Sequence, residues 1–146
     1  MHPTGKRQAG ILIPAFSARR EGDLGIGDTL ALRQWIDWAA QTGIGFIQLL
    51  PINENGADES PYSAISSAAL DPIYLTLEPD EIPWLRTRDV TRARTRLGEA
   101  AHAAHVDYPA VRNTKRTLLE LAWSRFDEAK PAFVREFEQF RKREAD

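Results

Sequence analysis

The chain has 146 residues, 42% of them hydrophobic and 27% charged, with a formal net charge of −2. That is about one domain's length with an ordinary globular composition; it excludes disorder throughout, and also a complete eight-fold β/α barrel, which takes roughly 200 residues or more. The absence of cysteine excludes disulfides, thiolate metal sites and cysteine nucleophiles, and the near-neutral charge argues against a generic binder of polyanions.

The run Ile11-Leu12-Ile13 near the N-terminus is too short for the apolar core of a signal peptide. No stretch approaches the roughly 18 apolar residues of a membrane span, so a cytoplasmic location is expected, with no membrane partner. Residues 9–14 read as a short buried strand ended by Pro14. A Gly-rich loop follows, from Ala15 to Gly27, and a helix is predicted from Asp28 to Thr42. The Asp28 carboxylate can accept the unpaired N–H groups of the first turn. Leu32, Trp35, Ile36 and Ala39 fall on one face, and Gly43 suits a left-handed stop. Phe46–Leu50 is a second apolar run closed by Pro51. Strand, helix and strand in this span predict a βαβ unit with parallel pairing. The loops 15–27 and 51–70 then leave the C-terminal ends of parallel strands, where α/β folds place ligand sites. Both exceed the usual 2–6 residues or so of such connections. A third strand, Ile73–Leu77, is expected after Pro72.

The character changes near residue 79. Residues 1–84 carry 5 basic and 11 acidic side chains, net −6, whereas residues 85–146 carry 14 basic and 10 acidic, net +4. Helices are expected over 89–105, over 109–128 with Pro109 in the first turn after Asp107, and from about Pro131, where Phe133, Phe137 and Phe140 recur at helical spacing.

Few constellations carry chemistry. Gly22-Asp23-Leu24-Gly25-Ile26-Gly27-Asp28 lacks the Gly-Lys-Ser/Thr of a phosphate loop, has Leu30 where a dinucleotide fingerprint needs glycine, and carries carboxylates that repel phosphate. Tight turns and a helix cap explain it. Gln48 is the one strongly polar residue of the second apolar run, and a buried amide needs partners. In Ser60-Pro61-Tyr62-Ser63, proline stiffens the loop. Tyr62 offers a flat apolar ring with a hydroxyl at its edge, a surface suited to stacking on a sugar, although a tyrosine in a polar loop can equally be structural. His102 and His105 sit three apart on the expected helix without a carboxylate beside them, so no metal is expected. The arginines at 86, 88, 92, 94 and 96 lack interleaved aromatics and read as a solvated face, so no nucleic-acid partner is expected. No Ser/His/Asp set is evident, because His2, His102 and His105 lie away from the long loops. Among Glu21, Asp23, Asp28, Glu54, Asp58, Glu59 and Asp71, nothing in the spacing singles out a glycosidase-like carboxylate pair.

Taken in order, the segments Ala9-Gly10-Ile11-Leu12-Ile13-Pro14, Leu24-Gly25-Ile26-Gly27-Asp28, Gln48-Leu49-Leu50-Pro51, Ser60-Pro61-Tyr62-Ser63 and Asp71-Pro72-Ile73-Tyr74-Leu75 resemble the N-terminus of the 4-α-glucanotransferases of glycoside hydrolase family 77, the amylomaltases or disproportionating enzymes. A looser likeness continues through Val106-Asp107-Tyr108 and Lys115. The sequence departs from the family's usual pattern at Ile47, where an aromatic is common, at Leu30, where Gly is common, and at Asp71, where Asn is frequent.

The resemblance implies an α/β fold: the N-terminal portion of a (β/α)8 barrel with a helical insertion. Residues 1–78 would form the first βα units and residues 79–146 the insertion. It implies transfer of α-1,4-glucan segments by a retaining mechanism, with an Asp nucleophile and a Glu acid/base roughly 5–5.5 Å apart, and no cofactor. In the family the Ser-Pro-Tyr loop lines the donor sugar subsites, which gives Ser60 and Tyr62 a substrate-binding role. The family's catalytic carboxylates match no residue here. The expectation is therefore a truncated or split glucanotransferase, inactive until the remainder of the barrel joins it in cis or as a separate chain. The alternative is a non-catalytic glucan-binding or scaffold module. A partial barrel would leave strand edges and apolar faces uncovered, which favours docking or aggregation.

Overall fold

The computed structural model describes residues 7–55, 58–126 and 131–144. Strands β1 (Gly10–Ile13) and β2 (Phe46–Leu49) pair in parallel, with Gly10 opposite Phe46 and Ile13 opposite Leu49. Helix α1 (Thr29–Thr42) connects them. Asp28 accepts the Ala31 N–H at 3.0 Å, and Gly43 ends the helix at φ +76°, so both termini form as the sequence predicts. The predicted helix face is only partly covered. Ala39 is buried, Leu32 and Trp35 are half-buried, and Ile36 is exposed. A groove of about 310 Å³ lies between α1 and β2, lined by Leu32, Ile36, Ala39, Ile44, Phe46 and Ile47.

The sheet is bare on its other face. Strand side chains alternate between faces; Ile11, Ile13, Ile47 and Leu49 are half-buried, while Leu12 and Phe46 are 56% and 50% exposed. Gln48, opposite Leu12 in the register, is exposed too. The expectation of a buried Gln48 with obligatory partners is thus corrected: Gln48 is exposed, no described residue lies over this face of the two-stranded sheet, and water can solvate the amide.

The expected third strand does not form among the described residues. Asp71 accepts the Ile73 N–H at 3.0 Å through its side chain and the Tyr74 N–H through its carbonyl, winding Pro72–Tyr74 into a 3-10 turn. That local capping outcompetes the β preference of Ile73 and Tyr74.

Helix α2 (Thr87–Leu97) starts where Asp89 reaches back to the Arg86 N–H at 2.9 Å, and Gly98 ends it at φ +55°. A 3-10 turn, Gly98–Ala101, follows. The helix expected to run to residue 105 therefore stops early, and His102 and His105 share no helix face. Helix α3 (Tyr108–Ser124) is capped by Asp107, which accepts the Ala110 N–H at 3.0 Å. The expected extension over 127–128 falls outside the described residues. Helix α4 (Pro131–Arg143) sets Phe133 against Trp84 and Phe137 against Trp123 and Phe126, with ring centroids 5.3–5.5 Å apart.

The core lies away from the sheet, where the loop 15–28 and the segment 71–77 meet α2 and α3. Ile26, Ile73, Leu77, Val111 and Leu118 fill it. Two glycines of the loop are required by close approach. A Cβ on Gly27 would sit 2.0 Å from the Ala15 carbonyl oxygen, and Gly25, at φ +83°, lies under Ala100 and Val111. The glycines shape a turn, as the sequence indicates, and the Gly25 N–H donates to the Asp23 carboxylate at 2.9 Å.

Candidate functional site

Parallel pairing sends the chain out of Ile13 and Leu49 at the same end of the sheet. The second of these exits is built as an irregular hairpin. Its limbs are joined by Glu54 N–H to the Ala69 carbonyl (3.1 Å), Ile65 N–H to the Glu54 carbonyl (2.9 Å) and Asp71 N–H to the Ile52 carbonyl (3.0 Å). Near the tip, Asp58 accepts the Ser60 N–H at 3.0 Å, and the Ser63 N–H closes a turn on the Ser60 carbonyl at 3.0 Å. Ser60 Oγ accepts the Tyr62 N–H at 3.3 Å, so its own proton stays available. The Tyr62 ring points away from the core and is 75% exposed. The structure thus presents Ser60 and Tyr62 together on a hydrogen-bonded turn in the loop that follows β2.

The other polar residues of the motifs behave differently. Asp23 chelates Arg19, with contacts of 2.7 and 2.8 Å, and Arg19 also donates to the Ala101 carbonyl. Burial works against the Asp23 carboxylate, but the bond from Arg19 and N–H groups of Arg20 and Gly25 outweigh it and hold its pKa below the ordinary value. Arg20 spans Asp28 (2.9 Å) and Glu78 (2.7 Å); burial opposes its charge, yet these partners leave its pKa raised. Asp71 is 1% exposed and takes a two-pronged contact from Arg112 at 3.0 and 2.8 Å. Three of the loop carboxylates that the sequence offers as candidate acids are therefore consumed in buried clasps. They carry structure, each held by an arginine in place.

Three clasp residues escape sequence reading. Arg19 and Arg20 look like loop charges, and only the fold brings Asp23 and Asp28 to them. Lys115 carried a visible signal: it falls on the same face as Val111, Leu118 and Ala122. It is 2% exposed and donates to the Ile73 and Leu75 carbonyls at 2.5 and 2.9 Å. Burial pushes its ammonium down to about 8, with Asp28, Asp23 and Asp71 pulling the other way. Tyr108 and Tyr74 flank this region, and burial raises both phenols, Tyr74 to about 12. Burial is the main influence on Tyr108 and the Asp71 bond on Arg112, and the charge of Glu59, in the same loop, is a lesser one on both.

His2 lies outside the described residues. Among those described, no group of three His, Asp or Glu side chains could hold a metal, and no helix is long and apolar enough to cross a membrane. Arg94 turns inward to the Gly22 carbonyl, while Arg88, Arg92 and Arg96 stay exposed.

The chain is similar to known proteins over most of its length. A family signature described as 4-alpha-glucanotransferase matches residues 13–146. A 4-alpha-glucanotransferase of Chlamydia caviae is 38% identical over 107 residues, which is 73% of this chain and 20% of the relative. The Oryza sativa 4-alpha-glucanotransferase DPE2 is 38% identical over 111 residues, 71% of this chain and 11% of the relative. A 4-alpha-glucanotransferase of Streptococcus pneumoniae is 29% identical over 137 residues, 92% of this chain and 26% of the relative. The chain spans between a tenth and about a quarter of the length of these curated relatives. With the signature covering nearly all of it, the chain belongs to glycoside hydrolase family 77, the 4-alpha-glucanotransferases.

Proposed function

We propose that this chain supplies the N-terminal, substrate-contacting part of a 4-α-glucanotransferase that acts on α-1,4-glucans, with Ser60 and Tyr62 as sugar contacts. One observation carries the reading: a phenol ring 75% exposed, held on a hydrogen-bonded turn at the loop end of a parallel sheet. An aromatic face so placed can stack on the C–H face of a glucose unit while its hydroxyl bonds the rim. Among the described residues Ser60 Oγ acts as acceptor for the Tyr62 N–H, which leaves its proton for a sugar oxygen. In this reading the chain binds and orients the glucan. The carboxylates of the retaining reaction come from the remainder of a (β/α)8 barrel, in cis or as a separate chain, which also covers the bare sheet face at Leu12, Phe46 and Gln48. Residues 1–78 are the first βα units of that barrel, and residues 79–146 are a helical insertion.

A second reading is a non-catalytic glucan-binding or scaffold module, in which the turn closed by the Ser63 N–H on the Ser60 carbonyl suffices to contact the sugar. Incubation with maltotriose tests the first reading. The chain alone is expected to release no glucose and form no longer maltodextrins, and turnover that Tyr62→Ala abolishes would refute it. Maltoheptaose binding that depends on Tyr62, with no added partner restoring transfer, would support the module.

A further inference from the structure

We propose that Arg112 and Asp71 are positioning residues for the Ser60–Tyr62 turn. The proposal deepens the glucan-binding reading and rests on it for its sugar arm. Asp71 stands at the base of the hairpin, and every polar group it has is in use. Its N–H goes to the Ile52 carbonyl (3.0 Å) and closes the two limbs; its carbonyl receives the Tyr74 N–H (3.0 Å); its carboxylate caps Ile73 (3.0 Å). The remaining carboxylate capacity goes to Arg112, which meets both oxygens, at 3.0 and 2.8 Å. Two parallel N–H···O bonds fix direction as well as distance. They therefore tie the hairpin base to α3, a rigid element anchored in the core by Val111 and Leu118.

The Asp71 contact raises the Arg112 guanidinium's pKa against burial, with a lesser contribution from the charge of Glu59, the residue before Ser60. Lys115, one helical turn on, holds the Ile73 and Leu75 carbonyls just beyond Asp71. The hairpin's own apolar side chains Leu70, Ile65 and Tyr62 are all exposed. A loop with little apolar burial takes its order from its polar anchors.

Amide hydrogen exchange and maltoheptaose titration of the full chain test this, using Arg112→Ala and the uncharged pair Asp71→Asn/Arg112→Gln, which leaves no unpaired buried charge if the single variant fails to fold. The expected result is exchange faster by about ten-fold or more at the amides of Glu54, Ser63, Ile65 and position 71, with Ile44 and Gly45 unchanged. Arg112→Lys, which keeps one contact, should recover part of the protection. Maltoheptaose affinity should fall as far as in Tyr62→Ala, and Tyr62→Ala added to the pair should cost nothing more. Unchanged exchange in the folded double variant overturns the positioning role, whatever the sugar does. Additive affinity losses likewise overturn it, because they show Arg112 acting apart from the turn. Faster exchange with an affinity indifferent to Tyr62→Ala upholds the clamp and refutes the glucan reading.

Discussion

Replacing Lys115 by methionine should change how stability depends on pH. The ammonium is 2% exposed, and burial lowers its pKa from 10.5 to about 8. Asp28, Asp23 and Asp71 favour its charge, and Arg20 opposes it. Below pH 8 both folded and unfolded chains carry the proton. Between 8 and 10.5 the unfolded chain holds it and the folded chain has released it, so stability rises with pH. This contribution is complete above the unfolded pKa and is lost as the pH falls through the folded one. A gap of this size corresponds to about 3 kcal/mol. Tyr74, raised to about 12, acts in the opposite sense above pH 10, which makes pH 7 to 10 the useful window. Urea midpoints followed by tryptophan fluorescence across that window give the assay. The wild-type chain should gain about 2 kcal/mol or more relative to Lys115→Met, whatever the absolute offset from the two carbonyls left without a donor. Parallel curves for the two proteins would refute the assignment of a depressed ammonium.

Other outcomes follow from the same contacts. Gly27→Ala drives a methyl group into the carbonyls of Ala15 and Ala18, at 2.0 and 2.6 Å, and should cost about 1–3 kcal/mol in denaturant melts; a neutral result would show that the turn yields. Arg125 holds the Asp89 carboxyl down to about 2, so its stabilisation is present above the ordinary value of 3.8 and is lost as the pH falls towards 2. Asp89→Asn should flatten that acid limb, and an unchanged acid midpoint would count against the pair. Tyr62→Ala should leave stability within about 0.5 kcal/mol, as expected of an exposed side chain, while abolishing maltoheptaose binding; a large loss of stability would place the ring in packing instead.

Much of the local structure could be read directly from residues. Asp28, Gly43, Asp107 and Pro131 mark helix ends because capping depends on neighbours a few positions away. The parallel βαβ unit and the two loops at its C-terminal end follow from hydrophobic runs and chain reach. The ordered motifs pointed to the family, and it was that resemblance, not proline and tyrosine by themselves, that gave Ser60 and Tyr62 their proposed sugar-contact role. Tertiary structure decided what depends on distant partners. It turned Ile73–Tyr74 from strand to 3-10 turn, since Asp71 offered a nearer bond than any neighbouring strand. It left Gln48 in water, since no described residue covers that face of the sheet. It sorted the candidate acids, burying Asp23, Asp28 and Asp71 against Arg19, Arg20 and Arg112. Pairing energy depends on separation in space and on exclusion of water, and neither is written in the spacing of residues along the chain.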